Sequence, residues 1–275
     1  MVDGEVHWVD GDQPAAEDVE RFVVEGVIGV REAVSRPVAE ECEALLLADV
    51  GIDPDDPTTW TQPVVRVVGR GGGPFTEAAT SERLAAATEA VVGAGRWVER
   101  KGIGTFPIRV PHPDEPGDDG WHIDASLPPE DDPTSTDYLR FGVNARSDGR
   151  ALLWLMLFSE VGPDDAPTRL RLRSHLEIAR HVAPGGDACT SPYPLPPLDH
   201  LPVALATGSP GDVFLCHPFL VHAAQRHQGT APRVIAQPGV AWAARPDPDR
   251  PAAERNAVEE AIRRAQAPVS RGRPF

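Results

Sequence analysis

Trp121-His122-Ile123-Asp124 is the stretch of this chain best suited to chemistry. It reads as a short strand, entered through the polar, turn-rich run Pro111 to Gly120 and left through Leu127 to Thr136. Alternate residues of a strand point the same way. His122 and Asp124 therefore project side by side, with Trp121 and Ile123 packed behind. An imidazole beside a carboxylate supplies two thirds of the facial triad that holds ferrous iron with open coordination positions. The same pair also fits a half-buried strand carrying two solvated polar groups, so a third ligand must come from elsewhere. The stretch Gly211 to Arg233, GDVFLCHPFLVHAAQRHQGTAPR, holds His217, His222 and His227. His217 and His222 are five residues apart and face opposite sides of a regular strand. Only one can enter a shared cavity, unless Pro218 sits at a bulge. His222 lies just before a turn, Ala223 to Pro232, and Arg233 opens the strand beyond it.

The elements that must position these residues follow from periodicity and turn signals. Arg21 to Val34 is rich in β-branched residues and reads as one or two short strands. Ser35 caps a helix with Pro37 in its first turn and an apolar stripe, Val38, Cys42, Leu45 and Leu46, running to about Asp49. Val64 to Val68 is a strand, and Arg70 to Pro74 reads as a flexible turn. Ser81 caps a second helix with Leu84, Ala87, Thr88, Val91 and Val92 on one face. Strands follow at Thr105 to Val110, Tyr138 to Val143 and Leu152 to Val161. The run LLWLMLF within the last suits a strand covered on both faces. Thr168 to Ser174 alternates, with Arg169, Arg171 and Arg173 on a wet face and Leu170 and Leu172 on a core face. His175 to Ala183 is a helical turn, and Leu201 to Leu205, Val213 to Cys216, Pro218 to His222 and Arg233 to Trp242 are strands. Pro251 starts a polar helix to about Ala265, and Ser270 to Phe275 reads as a disordered tail. Helices first and many short strands after them predict a mainly β protein, a two-sheet jelly roll with helices packed outside one sheet. The expected organisation is one domain over 1–275. Helical support occupies about 1–104, the β core about 105–245, and a C-terminal helix and tail about 246–275.

Composition narrows the function classes. Gly 25 and Pro 30 make up about a fifth of the 275 residues, above average usage but below the level that signals disorder. The formal net charge is -16, whereas nucleic acids and anionic membranes demand basic surface. Neither is an expected partner. Three cysteines, Cys42, Cys189 and Cys216, stand at unrelated spacings, and their odd count argues against a disulfide framework. Met1 to Pro14 is acidic and has no apolar run, and no stretch has the length a membrane helix needs. These features predict a soluble, cytoplasmic protein.

A specific resemblance rests on four residues and their context. His-x-Asp at His122 and Asp124, a distal histidine about a hundred residues later at His222, and an arginine eleven residues beyond it at Arg233 resemble the iron(II)/2-oxoglutarate oxygenases. The context Gly-Asp-Val-Phe-Leu-Cys-His-Pro-Phe-Leu-Val-His is similar to the phytanoyl-CoA dioxygenase family within them. Trp121 and the run Trp154 to Leu157 leading to Arg173-Ser174-His175 fit as well, although that family often has glycine at the position of Arg173. The resemblance covers roughly Thr105 to Gln237, and the N-terminal helices loosely.

It implies a double-stranded β-helix core, His122, Asp124 and His222 as iron ligands, and Arg233 as partner of the distal carboxylate of 2-oxoglutarate. The chemistry of the residues agrees: three protein ligands on one face leave three positions for a bidentate oxo-acid and dioxygen. A carboxylate at the far end suits the planar, always-charged fork of arginine. The implied reaction oxidises a C–H bond of a small molecule, with release of succinate and CO2. The carboxylate at Asp124 predicts hydroxylation or a related oxidation rather than halogenation, which needs that coordination position free for a halide. Arg140 and Asn144, on or just past the following strand, are candidates for contact with 2-oxoglutarate or substrate, against a structural or solvated role. His217 is either an orienting residue behind a ligand or a packed polar group. His175 reads as an exposed loop histidine, against a place in the lining of the substrate pocket; His112 and His227 read as surface histidines, and Trp121 and Trp154 as core rather than pocket. Two other classes stay open: a hydrolase or lyase with zinc at the same site, and a non-catalytic protein that binds metal or 2-oxoglutarate on the same fold. The acidic balance disfavours a coenzyme A thioester as substrate, and Pro111 to Gly120 and Leu127 to Thr136 are expected to contribute to a lid.

Overall fold

A computed structural model describes residues 2–267. The sequence-based expectation for Ser270 to Phe275 lies outside the described residues. In chain order the elements are β1 (Trp8–Val9), α1 (Ala16–Glu25), β2 (Val27–Val30), α2 (Arg36–Val50), β3 (Val64–Val67), β4 (Arg70–Gly71), α3 (Gly73–Ala79), α4 (Glu82–Val92), β5 (Gly102–Ile103) and β6 (Phe106–Arg109). After a long irregular run come β7 (Leu152–Leu157), β8 (Arg169–Arg171), α5 (Ser174–Val182), β9 (Val203–Leu205), β10 (Val213–Cys216), β11 (His222–Ala223), β12 (Ile235–Ala236), β13 (Gly239–Val240) and α6 (Ala257–Gln266).

The larger sheet has the order β1-β2-β10-β7-β12, with β13 also on β7, and its pairs are antiparallel apart from β1–β2. A smaller antiparallel sheet has the order β11-β8-β9. β7 shows why this arrangement forms. Leu153, Leu155 and Leu157 pack with Phe214, Leu170, Leu172 and Ala204, a core that both sheets share. Leu152, Trp154 and Met156, on the opposite face, pack into a second core with Phe22, Leu46 and Leu84 of the helices. All six residues are buried, as expected for a strand covered on both sides. The Trp154 indole N–H donates to Thr88 Oγ1 of α4 at 3.1 Å, tying the sheet to the helical layer.

Several local expectations change. Arg21 to Val34 is not all strand. Val19, Phe22 and Val23 form the inner face of α1, and the β-branched residues hid that spacing. Gly26 ends the helix at φ 83°, its N–H donating to the Phe22 carbonyl at 2.8 Å. A Cβ there would stand 2.4 Å from His175 Nδ1, so only glycine fits. Arg70 to Pro74 is a short strand followed by the start of α3, with proline in the first turn. Tyr138 to Val143 is a single 3-10 turn at Tyr138–Arg140 and irregular backbone. Pro218 to Val221 forms a tight turn, with Leu220 N–H on the His217 carbonyl, so pairing begins only at His222. The last strand is split by Pro238 into β12 and β13. No helix among the described residues is long and apolar enough to cross a membrane, and the three cysteines are unpaired.

Two histidines expected at the surface, His175 and His227, are buried, and His217 is the packed polar group, one of its two readings. His175 is 0% exposed on α5, its Nε2 on the Val23 carbonyl at 3.1 Å. His217 packs against it with ring centroids 4.8 Å apart, and His227 is buried as well. Burial holds His175 and His227 down at about 4, from a usual value of 6.5, and pushes His217 well below that value. The unfolded chain therefore binds protons between pH 6.5 and 4 that the native state refuses. Stability is expected to be full above pH 6.5 and to fall as pH drops toward 4, by about 1.4 kcal/mol per pH unit for each such histidine. Urea midpoints measured across this range check it; a flat profile would contradict the burial.

Candidate metal centre

The site is built on one cross-strand contact. His122 N–H donates to the His222 carbonyl at 3.0 Å, and His222 N–H donates back to the His122 carbonyl at 2.9 Å. This isolated bridge is all that remains of the strand expected at Trp121 to Asp124. Residues that exchange both hydrogen bonds stand directly opposite each other, and the imidazole centroids are 4.5 Å apart. Asp124, two residues on, points the same way. Its Oδ1 lies 3.8 Å from each Nε2. One ligand atom from each residue falls within 4.8 Å of the others, and this is the one such group among the described residues.

The tautomers suit a cation. His122 Nδ1 contacts the Gly120 carbonyl at 2.9 Å, and His222 Nδ1 contacts the Leu220 carbonyl at 3.0 Å. A carbonyl only accepts, so both Nδ1 atoms carry the hydrogen and both Nε2 atoms present lone pairs. Burial also pushes the His222 pKa down, favouring the neutral ring, though Asp124 pulls the other way. Burial pushes the Asp124 carboxyl up, but Arg150 and the two histidines outweigh it and hold it down at about 2. Arg150 Nη1 donates to Asp124 Oδ2 at 2.7 Å, leaving Oδ1 for the histidine side. Two neutral imidazoles and one ionised carboxylate are a donor set that fits ferrous iron.

Behind the histidines is a cavity of about 590 Å³, lined by Trp121, His122, His222, Arg109, Arg233 and Gln237 among others. Arg233 is 1% exposed. It donates to the carbonyls of Ala166 at 2.7 Å and Pro107 at 3.0 Å, while its Nε has no partner among the described residues. Arg109 is bridged to it backbone to backbone and is equally buried. Its Nη2 donates to Asp118 at 2.6 Å, and its Nε is likewise unpartnered. Arg66 pairs with the same carboxylate. Burial and the neighbouring Arg109 lower Arg233 to about 9, with Asp118 opposing them, so it stays a cation at neutral pH. Three arginines, Arg66, Arg109 and Arg233, against the one carboxylate of Asp118 give the lining of this chamber a surplus of positive charge.

The structure thus brings together His122, Asp124, His222 and Arg233. Arg140 and Asn144 lie apart from them. Arg140 is exposed and donates to both oxygens of Asp131 at 2.8 Å. Asn144 is buried but bonds Asp148 and the Asp187 carbonyl, holding a turn. His217 packs on His175 and does not line the cavity that His222 lines. His112 is partly covered, with Asp114 at 3.7 Å. Arg169 and Arg171 are not on a wet face: Arg171 is buried, and their guanidiniums lie 4.8 and 4.3 Å from the Trp121 ring. Cation–π contact with the tryptophan explains their inward turn. Sequence reasoning missed Arg109 and Arg150. An arginine between Ile108 and Val110 in a buried strand was a usable signal for the first; a turn arginine gave none for the second.

No family model matches the chain, and no curated protein matches it. Solved structures do. GlcNAc Inducible Gene 2 from Candida albicans superposes with a TM-score of 0.57 at 12% identity, over 86% of this chain and 66% of that one. The chain thus spans just under two thirds of that protein. The non-heme alpha ketoglutarate dependent carbocyclase SnoK from nogalamycin biosynthesis gives 0.52 at 16% identity, over 83% and 84%. EctD from S. alaskensis, solved with 2-oxoglutarate and 5-hydroxyectoine, gives 0.52 at 18%, over 86% and 78%. The chain shares its fold with these structures.

Replacing His222 or Asp124 by alanine is expected to weaken cobalt(II) binding more than about 100-fold, and Arg150→Met by about 10–100-fold, the usual effect of losing an orienting partner. Isothermal titration calorimetry checks both; unchanged affinity in the His222 variant would exclude the site.

Proposed function

We propose that this protein is an iron(II)- and 2-oxoglutarate-dependent oxygenase with a double-stranded β-helix core, acting on a C–H bond of a small molecule. One observation carries the reading. An ionised carboxylate and two imidazoles with free Nε2 atoms converge on one point, beside a chamber lined by Arg233 and two further arginines against a single carboxylate. The alternative of a zinc hydrolase uses the same three ligands but gives Arg233 nothing to do.

Ferrous iron with 2-oxoglutarate and dioxygen supplies the oxidation, placing one oxygen atom in the substrate and the other in succinate, with loss of CO2. The chain's own residues do the rest. His122, Asp124 and His222 hold the metal on one face. The Gly120 and Leu220 carbonyls fix the two imidazoles, and Arg150 fixes the carboxylate. Arg233 takes the distal carboxylate of the oxo-acid, with Trp121 walling the chamber. Asp118, on the loop before the metal stretch, fastens that loop to Arg109 and Arg66. Asp124 keeps its coordination position filled, which favours hydroxylation or a related oxidation over halide transfer.

Anaerobic addition of 2-oxoglutarate to the ferrous protein is expected to raise a weak visible charge-transfer band. Arg233→Met is expected to weaken 2-oxoglutarate binding by about 100-fold or more, in line with the 3–5 kcal/mol typical of breaking a buried charge pair, while metal affinity is retained. A variant that binds 2-oxoglutarate as the parent does would sink the assignment.

A further inference from the structure

A second cavity, of about 600 Å³, lies on the other side of the metal centre. It shares Thr105 and Gln237 with the first, but is lined by Asp124 rather than by the histidines. The two chambers differ in charge. The first holds Arg66, Arg109 and Arg233 against the single carboxylate of Asp118. In the second, the one arginine, Arg150, is already paired with Asp124. Ferrous iron and a doubly charged oxo-acid cancel each other, so this balance persists when both are held.

Tyr138, Leu139, Phe141, Tyr193 and Ile123 line the second cavity. The chain has only two tyrosines, and both are here. Tyr138 is 76% exposed, Leu139 98% and Tyr193 48%. The Tyr138 and Phe141 rings lean together with centroids 4.9 Å apart, and the Tyr193 hydroxyl donates to the Ile123 carbonyl beside the metal. Aromatic and apolar side chains left open at the mouth of a cavity that also carries Thr105, Ser191 and Gln237 mark a ligand site for a ring-bearing molecule with polar groups of its own. Just outside, an adjoining hollow shares Leu139, Phe141 and Ser191 and is edged by Glu130 and Asp131. Asp132 stands nearby, and Arg140 is the cation that faces these carboxylates. The edge therefore repels anions.

We infer that this second cavity is the substrate site, and that its substrate is a ring-bearing molecule, neutral or basic, with no anionic group on the part that enters. The inference rests on the oxygenase reading, which names the reaction but not what is oxidised. Cations sort the two reactants: the dicarboxylic acid is drawn to the arginine chamber, and the neutral or basic partner to the aromatic one. A coenzyme A thioester or a free carboxylic acid does not suit the second chamber.

Three probes that share one ring system test this: naphthol, naphthoate and naphthylmethylamine. Each is dialysed to equilibrium against the full chain loaded with cobalt(II) and saturating 2-oxoglutarate. The naphthol and the amine are expected to bind at millimolar concentration or below, and the naphthoate at least about tenfold more weakly. Tyr138→Ser/Leu139→Ser, which alters mostly exposed side chains, is expected to lose about tenfold in naphthol affinity, equivalent to roughly 1.4 kcal/mol, with 2-oxoglutarate affinity unchanged. Naphthoate binding as tightly as naphthol, no probe binding at millimolar concentration, or a double variant that matches the parent would each overturn the inference. If 2-oxoglutarate itself fails to bind, the oxygenase reading falls, while the naphthol loss in the double variant, measured without the oxo-acid, still decides this one.

Discussion

The pair of backbone hydrogen bonds between His122 and His222 is the constraint on which the rest of the site depends. It joins segments about a hundred residues apart, and closing so long a loop is entropically costly. The cost is offset by the two cores that seat the strands on either side. β11, which begins at His222, is paired with β8, and β8 contributes Leu170 to the core between the sheets. On the other side Ile123 packs into the core beneath the helices. The two imidazoles meet because their backbones are in register, and Asp124 joins them because a two-residue step returns to the same face.

A second bridge of the same kind sets Arg109 opposite Arg233. Placing two guanidiniums side by side in a buried site is unfavourable by itself, and one carboxylate, Asp118, offsets only part of it. The chamber lining thus keeps a surplus of positive charge. Charge is separated across the metal centre, with surplus cations on the histidine side and a neutral, aromatic lining on the aspartate side. An overall charge of -16 conceals this local arrangement.

What could be read from the sequence was what depends on spacing. The helices that start after Ser35 and Ser81 and the doubly covered strand of LLWLMLF follow from local periodicity, and the structure agrees; His217 and His222 are separated by a tight turn rather than by strand parity. What could not be read depends on partners distant in the chain. Arg171 alternates like a surface residue, yet Trp121 draws it inward. His175 sits on what read as a helical turn, yet the missing side chain of Gly26 leaves room for it in the core. Arg140 has the right residue type and position in the chain, but the acidic run beside it, Asp131 and Asp132, holds it at the surface. Arg150 gave no signal, because its role exists only through Asp124.

The most direct measurement is a crystal structure grown without oxygen in the presence of manganese(II) and 2-oxoglutarate, with anomalous differences recorded for the metal. The expected result is one strong peak bonded to His122 Nε2, His222 Nε2 and Asp124 Oδ1, with the distal carboxylate of the oxo-acid on Arg233. A peak elsewhere, or an oxo-acid that leaves Arg233 untouched, would contradict the account.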